Sequence, residues 1–168
     1  MIAVKQRDER AEEFERVALP HTESLLRAAL RLTQNAGAAE DLVQETLLQG
    51  WRSFHQFESG TNCKAWMFRI MLNLSSKRRW KIQTEPTMLS LGEPESQNRT
   101  APAQFTAGDV FGALDALPGD HRVVLLLAVV EGFTCKEVAR MLDVPIGTVM
   151  SRLSRARVSL RQQLTKEN

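Results

Sequence analysis

The stretch EPTMLSLGEPESQNRTAPAQFTAG, from Glu85 to Gly108, most constrains what this chain can fold into. It holds three of the six prolines. It has little apolar periodicity and no strong helix signal, so it reads as a linker, partly extended or flexible. Helical patterns lie on either side of it. Alternating β patterns are scarce, glycine is sparse within the patterned segments, and tyrosine is absent. The expected fold is all-α. Two small helical domains, 1–84 and 109–168, flank a linker at 85–108.

Periodicity places helices in the first half near Arg10–Leu32, Ala38–His55 and Asn62–Lys81. In the second of these, Val43, Leu47, Trp51 and Phe54 form a stripe to bury. In the second half, helices are expected near Asp109–Ala116, Asp120–Glu131, Thr134–Leu142 and Ile146–Leu164. Leu117-Pro118-Gly119 and Glu131-Gly132 break the pattern between them.

Bulk composition narrows the classes of function. A net charge of +2, from 22 basic and 20 acidic residues, gives no whole-chain attraction for nucleic acid. Any basic surface must come from uneven placement. Cys63 and Cys135 lie far apart, outside CxxC or CxxH spacing, so neither a zinc site nor a disulfide framework is expected. His21, His55 and His121 are scattered, with no triad or metal-ligand spacing. An enzyme is not expected, nor any metal or cofactor. No apolar run is long enough for a membrane span, and the charged N-terminus lacks the apolar core of a signal peptide. Those features fit a cytoplasmic protein without membrane insertion.

Two constellations carry chemistry. The first is a helix-turn-helix in the C-terminal half. Thr134-Cys135-Lys136-Glu137 has the form of a capping box. A short helix follows, with Val138, Ala139 and Leu142 inward, and then the turn Asp143-Val144-Pro145-Ile146-Gly147. In the next helix, Val149, Leu153, Ala156, Leu160 and Leu164 share one face. Met150, Ser151, Ser154 and Arg155 fall opposite, and Arg152 and Arg157 flank the seam. Four arginines and no acid lie between Val144 and Leu164. Such a helix suits the major groove, with side chains near its start on base edges and arginines on phosphates. A solvated basic face on a packing helix is the plainer alternative.

The second constellation lies on Asn62–Lys81. Met67, Ile70, Met71 and Leu74 make its buried face, while Trp66, Arg69, Asn73, Ser76 and Trp80 gather on another. The helix ends Lys77-Arg78-Arg79-Trp80-Lys81. Tryptophan stacks on unpaired bases, an amide bonds a base edge, and arginine holds phosphate, which is what single-stranded DNA requires. The alternative is that Trp66 and Trp80 complete the core. Phe57, Gly60 and Asn62 in the preceding loop add to the clustering. One half suited to duplex DNA and one suited to unpaired bases is a combination that promoter opening needs.

At this point the chain resembles a known family. Ala39-Glu40-Asp41-Leu42-Val43-Gln44-Glu45-Thr46 followed by Trp51, then Lys64-Ala65-Trp66-Met67-Phe68-Arg69-Ile70 with Asn73-Leu74, resemble region 2 of extracytoplasmic-function sigma factors, the compact branch of the sigma-70 family. Leu117-Pro118, Arg122, Glu131-Gly132-Phe133, Glu137-Val138-Ala139 and the run Gly147 to Arg157 resemble its region 4. The resemblance implies a sigma factor that directs bacterial RNA polymerase core to promoters. Asp41, Gln44, Glu45 and Leu48 should bind the clamp coiled coil of the polymerase. Phe57, Thr61, Asn62, Lys64, Trp66, Arg69 and Asn73 should capture the −10 strand, with Lys77, Arg78 and Arg79 on its backbone. Thr148, Met150, Ser151, Arg152, Ser154, Arg155 and Arg157 should read the −35 duplex, with region 4 docked on the polymerase flap.

The linker should thread towards the active-site cleft. An anti-sigma factor is a further implied partner, covering apolar groups around Leu48 and the outer face of Asp120–Glu131. The run Val123–Leu127 also reads as a simple core helix. Many family members carry arginine or lysine where this chain has Met150, and a bulkier residue at Ser154. Ser75-Ser76 stands where an acidic or amide residue is frequent. These departures leave both promoter sequences open. A helix-turn-helix regulator that works without polymerase is the competing reading. It has no use for the face around Trp66 and Asn73.

Overall fold

A computed structural model describes residues 2–84 and 112–166, with side chains for 9–76 and 112–164. The expected linker at 85–108 lies outside the described residues, as do the side chains of Lys77, Arg78, Arg79 and Trp80. All regular elements among the described residues are helical, and no strand occurs among them.

The N-terminal half contains α1 (Ile2–Val17), α2 (Thr22–Thr33), α3 (Ala36–Ser53) and α4 (Cys63–Thr84). The expected single helix Arg10–Leu32 is in fact two. Pro20 sits in a 3-10 turn over Leu19–His21 and separates α1 from α2. Proline lacks an N–H and clashes with the preceding turn, so a continuous helix through it is disfavoured. Gln34 ends α2 in the left-handed conformation, at φ 54, with its N–H on Leu30 O. Asn35 then caps α3, its side chain accepting from Ala38 N at 2.9 Å.

α2, α3 and α4 pack against one another. The expected stripe on α3 is only partly right. Val43 and Phe54 are buried, Leu47 and Trp51 half-buried, and the centre of the face is Ala39, Leu42, Thr46 and Gly50. Thr46 is tolerated there because its hydroxyl donates to Leu42 O at 2.7 Å. Gly50 lets α3 approach α4 closely: a Cβ at that position would meet Met67 Sδ at 2.9 Å. On α4, Met67 and Met71 are buried as expected, joined by Phe68 and Leu72, while Ile70 and Leu74 are half-buried.

The C-terminal half opens with a helical turn at 112–115. α5 (Gly119–Leu125) runs directly into a π-helical turn, Leu126–Val130. There Glu131 N reaches Leu126 O, five residues back, at 3.0 Å. Gly132, at φ 76, reverses the chain so that Phe133 N bonds Leu127 O. α6 (Cys135–Leu142) and α7 (Ile146–Lys166) follow. α7 packs on both α5 and α6. Val123 to Leu127 are all buried, which makes this run the core of the half. On α6, Val138 and Met141 are buried, with Ala139 and Leu142 half-buried.

The two halves are joined directly. α4 packs on α6. Phe68 of α4 and Phe133 meet edge to face, with centroids 5.2 Å apart. Such a pair contributes about 0.5–1.5 kcal/mol beyond its buried area. Arg31 pairs with Asp115 at 2.9 Å, and Arg122 donates to the carbonyls of Arg31, Asp115 and Leu117.

Candidate nucleic-acid interface

The N-terminal face is built on an aromatic cluster that grows out of the core. Buried Phe14 and Phe54 meet edge to face at 5.1 Å. Phe57 stacks on Phe54 at 5.6 Å, and Trp66 lies 5.2 Å from Phe57. Phe57 and Trp66 are half-buried. Both pack against the core and keep part of their surface in solvent. Trp66 thus shares in the core, as the plain reading has it, without being enclosed by it. Arg69, Asn73 and Ser76 follow at three- and four-residue spacing and are exposed.

The loop before α4 is fixed locally. Thr61 donates its N–H and its hydroxyl to Glu58 O, and Gly60 takes φ 87. Asn62 caps α4, accepting from Ala65 N at 3.0 Å. Its amide nitrogen donates across the molecule to Glu137 Oε1 at 3.0 Å. Lys64 is held more completely. Its ammonium lies 2.8 Å from Glu131 Oε2 and 3.0 Å from Glu131 O, and sits over the Phe133 ring at 5.0 Å. The Glu131 side chain is only 3% exposed, against 25% for Lys64. Two residues expected on the −10 strand are thus engaged by the other half.

Charges around this seam shift neighbouring groups. Burial, and then the Lys64 charge, lower the pKa of His21. The N–H and hydroxyl of Thr134, helped by Asn62 and Arg140, hold the Glu137 carboxyl below its usual range. Burial pushes the Cys63 thiol up to about 11, so it stays protonated.

The capping box forms as its residues imply. Glu137 N donates to Thr134 Oγ1 at 3.2 Å, and Thr134 N donates to Glu137 Oε2 at 2.9 Å. Asp143 ends α6 in the left-handed region at φ 53, and Pro145 O accepts from Thr148 N and Val149 N as α7 begins. α7 buries Val149, Leu153 and Ala156 and turns Met150, Ser151, Ser154, Arg155 and Arg157 to solvent. Thr148 is half-buried. Arg152 is half-buried and paired with Asp120 Oδ2 at 2.8 Å. Met150, Ser154 and Arg157 border an open groove of about 610 Å³ that also touches Cys135 and Leu153.

On α3, Asp41, Gln44, Glu45 and Leu48 share one exposed face, with Leu48 at 48% exposure. Sequence reasoning missed Asp115, Glu131, Phe133 and the second role of Glu137, which all serve the seam between the halves. No grouping of metal ligands occurs among the described residues. No helix among them is long and apolar enough to cross a membrane.

Comparison with known proteins decides the family. The sigma-70 region 2 family matches residues 19–81, and the sigma-70 region 4 family matches residues 109–160. The ECF RNA polymerase sigma factor EcfG of Rhodopseudomonas palustris is 36% identical over 82% of this chain and 77% of its own length. The chain belongs to the ECF sigma factors. A second relative, ECF sigma factor SigL of Mycobacterium tuberculosis, is 31% identical over 86% of this chain and 84% of its own. Among solved structures, the sigma factor RpoE of Bartonella quintana, in complex with the anti-sigma factor NepR, superposes with a TM-score of 0.73. It is 31% identical and covers 92% of this chain and 98% of its own. CnrH, solved with the cytosolic domain of CnrY, shares the fold at a TM-score of 0.68, with 22% identity, covering 94% of this chain and 91% of its own. As an ECF sigma factor the chain has region 2 in α2 to α4 and region 4 in α5 to α7.

Proposed function

We propose that this sigma factor joins bacterial RNA polymerase core in the cytoplasm. It recognises the −35 element as duplex and the −10 element as unpaired strand, and performs no catalysis itself. The working units are 1–84 and 109–168. The observation that carries the reading is the disposition of α7, which buries Val149, Leu153 and Ala156 and keeps Ser151, Ser154, Arg155 and Arg157 in solvent. A helix so arranged behind a capped partner suits the major groove. Trp66, Arg69 and Asn73, with Phe57 behind them, supply a stacking ring, a phosphate contact and a base-edge contact for the −10 strand. Asp41, Gln44, Glu45 and Leu48 form the polymerase face.

Strand capture requires the halves to part, because Asn62 and Lys64 are held by Glu137 and Glu131. An anti-sigma factor is a partner that would prolong this closed arrangement. The likeness to RpoE solved with NepR, over most of both chains, supports that role. The test is reconstitution. The chain should co-migrate with polymerase core on gel filtration, and sequencing of the transcripts made should reveal a shared pair of promoter elements. Tight duplex binding without core association would favour the polymerase-independent regulator instead.

A further inference from the structure

The groove-facing start of α7 lacks the side chains that usually read bases. Bidentate recognition of guanine needs arginine or lysine, and of adenine asparagine or glutamine. From Ile146 to Ser154 the outward positions are Ile146, Gly147, Met150, Ser151 and Ser154. The one arginine in this stretch, Arg152, is half-buried against Asp120. Arg155 is the first arginine of α7 to face solvent. The two large side chains that the reading end presents are apolar. Met150 is 58% exposed and Ile146 48%, one helical turn apart on the same side. Ser151 is also constrained, since its hydroxyl donates to Thr148 O at 3.0 Å. It therefore offers a base edge only its acceptor lone pairs.

We infer that Met150 reads the C5-methyl group of a thymine in the −35 duplex, so that apolar contact carries specificity at this end of α7. The inference rests on α7 being the major-groove helix. In that groove only thymine displays a methyl group, and apolar side chains are what recognise it. Methionine suits the task because its unbranched, polarizable thioether adapts to irregular surfaces. Contact with the methyl takes part of the exposed side chain out of water, where cytosine would present its N4 amine instead. Arg155 and Arg157, further along the helix, remain for guanine or phosphate.

The experiment uses the full chain with polymerase core and a pool of duplexes randomised over the −35 element. The unaltered chain should select thymine at one position, on either strand. Met150→Ala should lose the preference at that position and keep the others. Met150→Arg should turn it towards guanine. Replacing the selected thymine by deoxyuridine, which removes only the methyl, should weaken the unaltered chain about fourfold and Met150→Ala by less than about twofold. All substituted side chains are exposed, and far-UV circular dichroism should confirm unchanged folding. Identical selections by the unaltered chain and Met150→Ala, or indifference to deoxyuridine, would overturn the assignment. Failure of the parent reading looks different: the unaltered chain would select no sequence, and Arg155→Ala would change nothing.

Discussion

In region 2, Asn62 and Lys64 direct their polar groups to Glu137 and Glu131 of region 4. In region 4, Met150, Ser151, Ser154, Arg155 and Arg157 of α7 face solvent, while Arg152 is turned aside to Asp120 of its own half. One proposed DNA surface is therefore formed and open, while the other is formed and partly covered. The cover is chemically apt. Carboxylates occupy the amide and ammonium that the proposed function assigns to the −10 strand. Under the proposed function, this gives the surfaces an order of use, with duplex docking possible before strand capture.

The comparison breaks most sharply at Phe133. Replacing this buried ring with alanine should cost about 3 kcal/mol, in the range for buried Phe→Ala changes. Urea denaturation checks the loss, and an increased hydrodynamic radius shows the halves separating. The next effect is Glu131→Gln, which leaves the Lys64 ammonium without its carboxylate. Removing one partner of a fully buried pair costs about 3–5 kcal/mol. Lys64 keeps a quarter of its side chain in solvent, so about 2 kcal/mol is expected. Affinity for a −10 single strand should rise, with −35 duplex affinity unchanged. An unchanged single-strand affinity would show that the seam does not cover the site.

Two smaller changes sharpen the contrast from each side. Asn73→Ala should impair single-round transcription more than −35 duplex binding. Arg155→Ala should do the reverse, by about 1 kcal/mol or somewhat more if it contacts a base. Acid gives the mildest effect. The lowered pKa of His21 means that the native protein favours the neutral ring. Its contribution is present above the ordinary value of 6.5 and is lost as pH falls through the lowered one. The urea midpoint should decline slightly in that window, and His21→Gln should flatten it. Glu137 contributes nothing there, because its stabilisation fades only below the usual carboxylate value of 4.5.

Most of the helical order was legible because each half obeys a 3.6-residue period with clear stop signals. Thr134 and Glu137 announced their own geometry, and the alternation of Val149, Leu153 and Ala156 with Ser151, Ser154 and Arg155 placed the outer face of α7. Periodicity failed at Pro20, where apolar spacing continues through a residue that the helix cannot accommodate. It also misjudged the centre of α3, since Thr46 and Gly50 do not look like core residues until Leu42 O and Met67 are beside them. The seam was invisible for a different reason. Asn62 and Glu137 are 75 residues apart, and nothing local to either reports how two independently patterned units dock. Glu131 read as a helix-ending residue, and its burial against Lys64 belongs to the assembly of the halves.

The π-helical turn Leu126–Val130 has a bearing on that assembly. A π turn accommodates one residue more than the α-helical ladder would, and every position after it is rotated by about 100° relative to an uninterrupted helix. Deleting Val129 or Val130, both exposed, would swing Glu131 and Phe133 off the bearing that meets Lys64 and Phe68, with no charge altered and no core side chain lost. The bearing of Glu131 and Phe133 towards region 2 thus rests on a register offset of one residue, which insertion or deletion would alter directly.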